Sequence, residues 1–227
     1  MAEKARECRA RVTALRALTP EVLEADLAML APATLAFDAG QWISVPFGPK
    51  TVRAYSIASS PRAPATLTLC ADVAPGGPGS RWFRGLASGT EVGFKGPLGG
   101  FVLEPGDTRR LLLIAEEIGI VPLRAIVHEL AADGFARPAA LVYGARDPGW
   151  LVYDDELRAL ARRHAGFAYH PITPADGEFV TIAQALAGDA ADLVVYVAGG
   201  EKTIKEVRAA MVARGMERKA VKWEKFW

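Results

Sequence analysis

Between Cys8 and Leu103 the apolar positions fall in short alternating or β-branched-rich runs, at residues 9–15, 22–28, 41–45, 51–58, 66–73 and 91–95, each bounded by glycine, proline or small polar residues. A period of two places successive side chains on opposite faces of a half-buried strand, so this half is expected to form an antiparallel barrel or sandwich. The run from Val22 to Leu30 is also helical by composition; it is read as a strand. One helix is expected to interrupt the strands at Ser80-Arg81-Trp82-Phe83-Arg84-Gly85-Leu86, with Ser80 as its N-cap. The glycines of Gly76-Gly77-Pro78-Gly79 leave backbone open to a ligand, and a helix start there favours an anion. A glycine-rich turn that serves only the fold is the other reading.

Past Glu104-Pro105-Gly106-Asp107 the pattern changes. Strand-like runs alternate with helical ones: 111–115 then 122–132, 139–143 then 154–163, 166–170 then 181–187, 193–198 then 201–214, and finally 220–224. That order predicts right-handed crossovers and a parallel sheet of about five strands. Leu123, Ile126, Val127, Leu130 and Ala131 make one apolar stripe on the first helix; Ile204, Val207 and Met211 make another on the last, which is expected to end at Gly215. Ligands of such sheets bind beyond the carboxyl ends of the strands, here Glu116 to Pro122, Gly144 to Arg146 and Gly199-Gly200. The chain thus divides into an expected β domain, 1–105, and an α/β domain, 106–227.

Composition narrows the chemistry. The 227 residues carry 27 basic and 26 acidic side chains, a net charge of +1, which gives no electrostatic footprint for nucleic acid. Apolar runs such as Leu111 to Ala115 fall far short of the roughly 20 residues that cross a bilayer, so no membrane span is expected. The charged start, Met1 to Glu7, lacks the apolar region of a secretory signal, and the expected location is cytoplasmic. Cys8 and Cys70 have no spacing for an iron-sulfur cluster or structural zinc, so any one-electron centre is expected on a partner. His128, His164 and His170 are scattered and read as surface or packing residues. Asp154-Asp155-Glu156 reads as an acidic helix start, and Arg158, Arg162 and Arg163 as its basic end.

The candidate chemistry gathers around Arg53-Ala54-Tyr55-Ser56. A guanidinium suits a phosphate, a tyrosine offers an aromatic face, and a serine can donate to a ring nitrogen. Arg53-x-Tyr55-Ser56 with Ser59, then Leu69-Cys70-Ala71, Gly77-x-x-Ser80 and Gly96-Pro97-Leu98-Gly99-Gly100-Phe101, resemble the ferredoxin-NADP reductase family of flavoproteins. Gly40-Gln41, Tyr143-Gly144-x-Arg146 and the tail Glu224-Lys225-Phe226-Trp227 fit the same family and keep its order. The resemblance implies an antiparallel six-stranded FAD-binding β-barrel followed by a five-stranded parallel-sheet, Rossmann-like nucleotide-binding domain.

It also implies roles. FAD would be held by Arg53, Ala54, Tyr55, Ser56, Cys70, Ala71, Gly77, Gly79 and Ser80, with Arg53 and the helix start on the pyrophosphate, Tyr55 against the isoalloxazine and Ser56 near flavin N5. Gly119, Pro122, Gly144, Arg146 and Gly199 would line the NAD(P)H side. Ser56 and Glu224 would serve catalysis, Glu224 on the nicotinamide side. Phe226 or Trp227 would cover part of the flavin or its adenine, or else the tail simply docks on the sheet. Electrons would pass between NAD(P)H and a separate small redox protein, a ferredoxin, a flavodoxin or an oxygenase component.

The second domain departs from the family in three places. Where Gly-Gly-Thr-Gly-Ile-Ala-Pro is usual, the chain reads Glu116-Glu117-Ile118-Gly119-Ile120-Val121-Pro122. A carboxylate ~5 Å from a phosphate charge costs ~3 kcal/mol at an effective dielectric near 20, about a hundredfold in affinity. Glu117 is expected near its own helix start, where its carboxylate takes the phosphate's place; alternatively both acids turn to solvent or pair with Arg124 or Arg109 and leave a usable site. Ala198-Gly199 replaces the family's Cys-Gly, and Asp72 stands where NADPH users often carry lysine, which tilts preference toward NADH. The expected function is FAD-dependent electron transfer from NAD(P)H; the alternative is a flavin electron-transfer subunit of a larger complex that binds no pyridine nucleotide, and a more distant one is a module whose flavin is structural.

Overall fold

The computed structural model describes residues 5–48, 51–173 and 178–227. Met1 to Lys4, on which the reading of the N-terminus partly rests, lie outside them. Six strands form the first sheet: β1 (Arg6–Ala17), β2 (Val22–Ala31), β3 (Trp42–Gly48), β4 (Thr51–Ser56), β5 (Thr66–Asp72) and β6 (Glu91–Leu98). Their order is β4-β3-β6-β1-β2-β5, every neighbour antiparallel. The sheet curls until its two edges meet: Ile57 bridges Leu69, and Ala58 N donates to Thr68 O at 2.8 Å. This contact closes the curl in the manner of a barrel.

Inside it lie Ala10, Val12, Leu27, Ile43, Leu67, Leu69 and Phe94, the inward set of each alternation. The ambiguous run is strand β2: Ala25, Leu27 and Met29 are buried at a period of two. Glu24 is buried too, and it is accommodated because Arg16, its ladder partner on β1, donates from Nε at 3.1 Å. Tertiary pairing with β1 and β5 overrides the helical composition.

Helix α1 (Pro78–Arg84) starts earlier than expected. Gly77 is its N-cap and Ser80 lies inside the helix, 9% exposed. The reason is Pro78, whose fixed φ and missing N–H suit the first helical position and pull the start ahead of the serine.

The second sheet is built from β7 (Arg110–Glu116), β8 (Ala139–Gly144), β9 (Phe167–Ile172), β10 (Leu193–Gly199) and β11 (Val221–Lys225), in the order β11-β10-β7-β8-β9, all parallel. Helices α2 (Ile120–Ala132), α3 (Asp154–Arg163), α4 (Glu178–Ala187) and α5 (Glu201–Ala213) connect them. The central strands read Leu-Leu-Leu-Ile-Ala and Leu-Val-Val-Tyr-Val-Ala because both faces of a parallel sheet are covered. Ile204, Val207 and Met211, the predicted stripe of α5, pack with Leu112, Ile114, Val195 and Val197.

Two compact units result: residues 1–103 with 124–129, and residues 104–123 with 130–227. In the second, the parallel register sets Glu116 beside Gly144 and Ala115 beside Ala198, so the carboxyl ends of β7, β8 and β10 come out level. Among the described residues no helix is long and apolar enough to cross a membrane.

Candidate functional site

In the first unit, Arg53 and Tyr55 stand two residues apart on β4 and therefore on one face. Both reach the start of α1. A methyl group on Gly79 would lie 3.2 Å from Tyr55 Oη and 3.3 Å from Arg53 Cγ, and Tyr55 Oη donates to Gly79 O at 3.3 Å. Phe47, Trp82 and Phe83 surround the Tyr55 ring, with centroids 6.4, 5.4 and 5.6 Å away. That burial pushes the phenol up to about 12, against the pull of the Arg53 charge, so the hydroxyl stays protonated and donating at neutral pH. No side chain caps α1, no acid sits in its first turn, and a Cβ on Gly77 would meet nothing within 4 Å. Exposed guanidinium, uncapped N–H groups and open backbone converge on a place where an anionic pyrophosphate fits.

Other residues singled out in this half divide into two kinds. Ser56, Cys70 and Ala71 are buried on β4 and β5, and Ala54 is exposed beside them. The motif residues Gly40, Gln41 and Ser59 serve the fold. Gly40 has φ +99°, a Cβ there would sit 2.0 Å from Phe101 O, and Gln41 Nε2 donates to Gly99 O at 3.3 Å. Ser59 Oγ accepts from Thr68 N at 3.1 Å. Asp72 Oδ1 accepts from Ala74 N at 2.8 Å, which commits it to the turn before the glycines.

In the second unit the carboxyl ends of the strands are filled by the chain's own groups. Glu116 Oε2 accepts from Gly200 N, at the N-cap of α5, at 2.8 Å. A Cβ on Gly199 would lie 2.6 Å from Glu116 Cβ, and one on Gly200 2.6 Å from Trp227 Nε1. Phe226 N donates to Gly199 O at 3.0 Å, which brings the tail onto this end of β10, and Glu224 pairs with Ala198 in the ladder. Gly119 is equally confined, since a Cβ there would fall 2.1 Å from Ala198 O. Pro122 is buried in the first turn of α2.

Glu117 differs from expectation. Its backbone is left-handed, φ 49°, and its Oε1 accepts from Arg146 N at 2.8 Å, so the side chain is turned to the end of β8 instead of to its own helix. It is Glu116 that sits at a helix start, that of α5. The Arg146 guanidinium stacks on Trp150, 3.7 Å from the ring centroid, a contact with no signal in the local periodicity. The proposed partner Arg109 is held by Asp107, with Nη2 to Oδ2 at 2.6 Å.

His164 packs on Phe135, and Asp154 opens α3 while accepting from Tyr169 Oη and Arg158 Nε. Among the described residues no group of three His, Cys, Asp or Glu is placed to hold a metal ion, and Cys8 and Cys70 are buried and unbridged.

Residues 9–103 match the family model described as an oxidoreductase FAD-binding domain, and residues 113–209 the one described as an oxidoreductase NAD-binding domain. Ferredoxin--NADP reductase B of Sorangium cellulosum is 35% identical over 156 residues, 67% of this chain and 64% of that protein. Terephthalate 1,2-dioxygenase reductase component 1 of Comamonas is 30% identical over 189 residues, 79% of this chain and 56% of that one. The chain therefore spans less than two thirds of either relative. Among solved structures, the Amycolatopsis cytochrome P450 reductase GcoB superposes with a TM-score of 0.88 at 25% identity, over 99% of this chain and 71% of that one.

Proposed function

The chain belongs to the ferredoxin-NADP reductase family of two-domain flavoproteins, and on that premise we propose that it is an FAD-dependent oxidoreductase passing electrons from NAD(P)H to a separate redox protein. The observation that carries the reading is the convergence of Arg53, Tyr55 and the uncapped start of α1 on Gly79. When bound, the flavin supplies the exchange between a two-electron donor and a one-electron acceptor.

The chain's residues bind and orient. Arg53 and the N–H groups at Gly77, Gly79 and Ser80 would receive the pyrophosphate, Tyr55 would present its ring, Ser56 would hydrogen-bond near flavin N5, and Cys70 and Ala71 on β5 would contact the flavin. On the second unit Gly119, Pro122, Gly144, Arg146 and Gly199 shape the NAD(P)H side, with Glu224 and Trp227 on the tail. The acceptor is a ferredoxin, a flavodoxin or an oxygenase component, in keeping with the named relatives. Asp72 disfavours a 2′-phosphate and tilts preference to NADH, and the proposed location is the cytoplasm.

Purified protein tests this directly. It should be yellow or take up added FAD, and anaerobic NADH should bleach it. A colourless protein that takes up no FAD refutes the proposal. A second reading, a flavin subunit that binds no pyridine nucleotide, draws on the Glu116 to Gly200 bond; it is the one left standing if the yellow protein resists millimolar NADH and NADPH alike.

A further inference from the structure

We propose that Glu116 and Glu117 are specificity-determining residues that act as a built-in occupant of the nucleotide side, so that pyridine nucleotide binds the second unit only by displacing them. The inference rests on the family assignment of residues 113–209 and deepens the proposed function.

A parallel sheet receives its ligand beyond the carboxyl ends of its strands, through backbone N–H groups that have no partner in the sheet. In this unit two such donors are taken. Gly200 N, at the start of α5, donates to Glu116 Oε2 at 2.8 Å, and Arg146 N, past the end of β8, donates to Glu117 Oε1 at 2.8 Å. The two acids come from adjacent residues at the end of β7, between the strands whose ends they cover.

The packing supports occupancy over a casual surface bond. The space that the missing Cβ atoms of Gly199 and Gly200 leave is used by the Glu116 side chain and the Trp227 indole, at 2.6 Å from the ideal Cβ positions. Glu117 adopts φ 49°, a conformation unusual for a residue other than glycine, asparagine or aspartate, while its carboxylate engages Arg146 N.

The acids act in two ways. As tethered acceptors they compete with a pyrophosphate for the same N–H groups, and as like charges they repel it, one at ~5 Å being worth about a hundredfold in affinity. Glu116 is the stronger determinant, because its partner amide also lies at the positive end of the 13-residue helix α5.

The test uses the FAD-loaded full chain and a readout that involves no turnover: calorimetric titration of NAD⁺ and NADP⁺, with the amide resonances of Gly200 and Arg146 followed in parallel. The double variant Glu116→Gly/Glu117→Gly should bind at least tenfold more tightly than the wild type, and Glu116→Gln, which keeps size and an acceptor oxygen but loses the charge, should gain several-fold. Flavin content should not change. A folded double variant with unchanged or weaker nucleotide affinity overturns the proposal; if that variant does not fold, Glu116→Gln and Glu117→Gln decide, and no gain in either overturns it. Wild type that resists reduction by NADH and NADPH alike while the double variant is reduced supports the occupant and defeats the proposed function. Wild type that binds nucleotide as tightly as the variant, and is reduced by it, does the reverse.

Discussion

Both units set glycines beside a helix start, yet a methyl group added there meets nothing, or side chains no nearer than 3.2 Å, in one, and the chain's own atoms at 2.6 Å or less in the other. At Gly77 nothing lies within 4 Å, and at Gly79 the neighbours are the Arg53 stem and the Tyr55 hydroxyl, at 3.3 and 3.2 Å. At Gly119 and Gly199 the nearest atoms are Ala198 O at 2.1 Å and Glu116 Cβ at 2.6 Å. A glycine in a strand-to-helix connection is therefore ambiguous. It admits a ligand where the space beyond it is open, and it admits the rest of the protein where that space is filled.

The contrast breaks most readily through stability. Gly119→Ala should cost about 2–4 kcal/mol, because the atom it meets is backbone on a central strand and cannot give way. For a chain of this size the midpoint of thermal unfolding without cofactor falls by roughly 5–15 °C. Gly77→Ala, at a half-buried N-cap where an added Cβ meets nothing within 4 Å and the backbone angles are permitted (φ −70°), should cost under about 1 kcal/mol. Equal losses in the two variants, measured by circular dichroism melts, contradict a difference between open and filled glycines.

Ligand affinity comes next. Arg53→Ala removes an exposed side chain whose hydrogen bond to Val52 O, 3.0 Å, is local, so the cofactor-free melt should not move. Lost charge-assisted bonds to a phosphate are worth about 1.5–3 kcal/mol, and FAD binding followed by flavin fluorescence should weaken about 10- to 150-fold. A smaller effect is expected from Tyr55→Phe, which gives up the bond to Gly79 O for about 1 kcal/mol while keeping the ring among Phe47, Trp82 and Phe83. Should Arg53→Ala leave FAD affinity untouched, the open glycines of α1 are not where the pyrophosphate rests.

Much of this was legible in the residues, for physical reasons that also show where legibility ends. The period of two in β1, β3 and β6 and the alternation of strand and helix after Glu104 follow from burial, which a sequence records directly. Ser80 was misplaced because two local preferences competed, and proline at the first helical position prevailed over serine at the cap. The composition of β2 also allowed a helix, and pairing with β1 and β5 makes it the strand it was read as. Glu116 and Glu117 could be recognised as a departure from a glycine-rich loop, but not assigned to their donors. Gly200 lies 84 residues from Glu116, and Arg146 lies 29 from Glu117. Which amide a carboxylate meets across parallel strands depends on register and crossover length, and neither is written in the local pattern.

Asp107 offers the smallest expected effect on either site and so sharpens the comparison as a control. It precedes β7 at the end remote from Glu116, where bonds from the Arg109 side chain hold its carboxyl at about 2, below the usual 3.8, with Arg137 Nη2 3.5 Å away. A depressed folded value means that the ionised form stabilises the fold above about pH 4, and that this contribution is lost as pH falls from about 4 toward 2. Asp107→Asn should flatten that part of the acid limb in a stability profile and lower the melt at neutral pH, since Arg109 and Arg137 lose their counter-charge. FAD and NAD⁺ affinities at pH 7 should stay at wild-type values. If they fall with the melt instead, losses seen in the glycine and arginine variants report the stability of the whole chain, and the difference between an open and a filled strand end must be sought by structure alone.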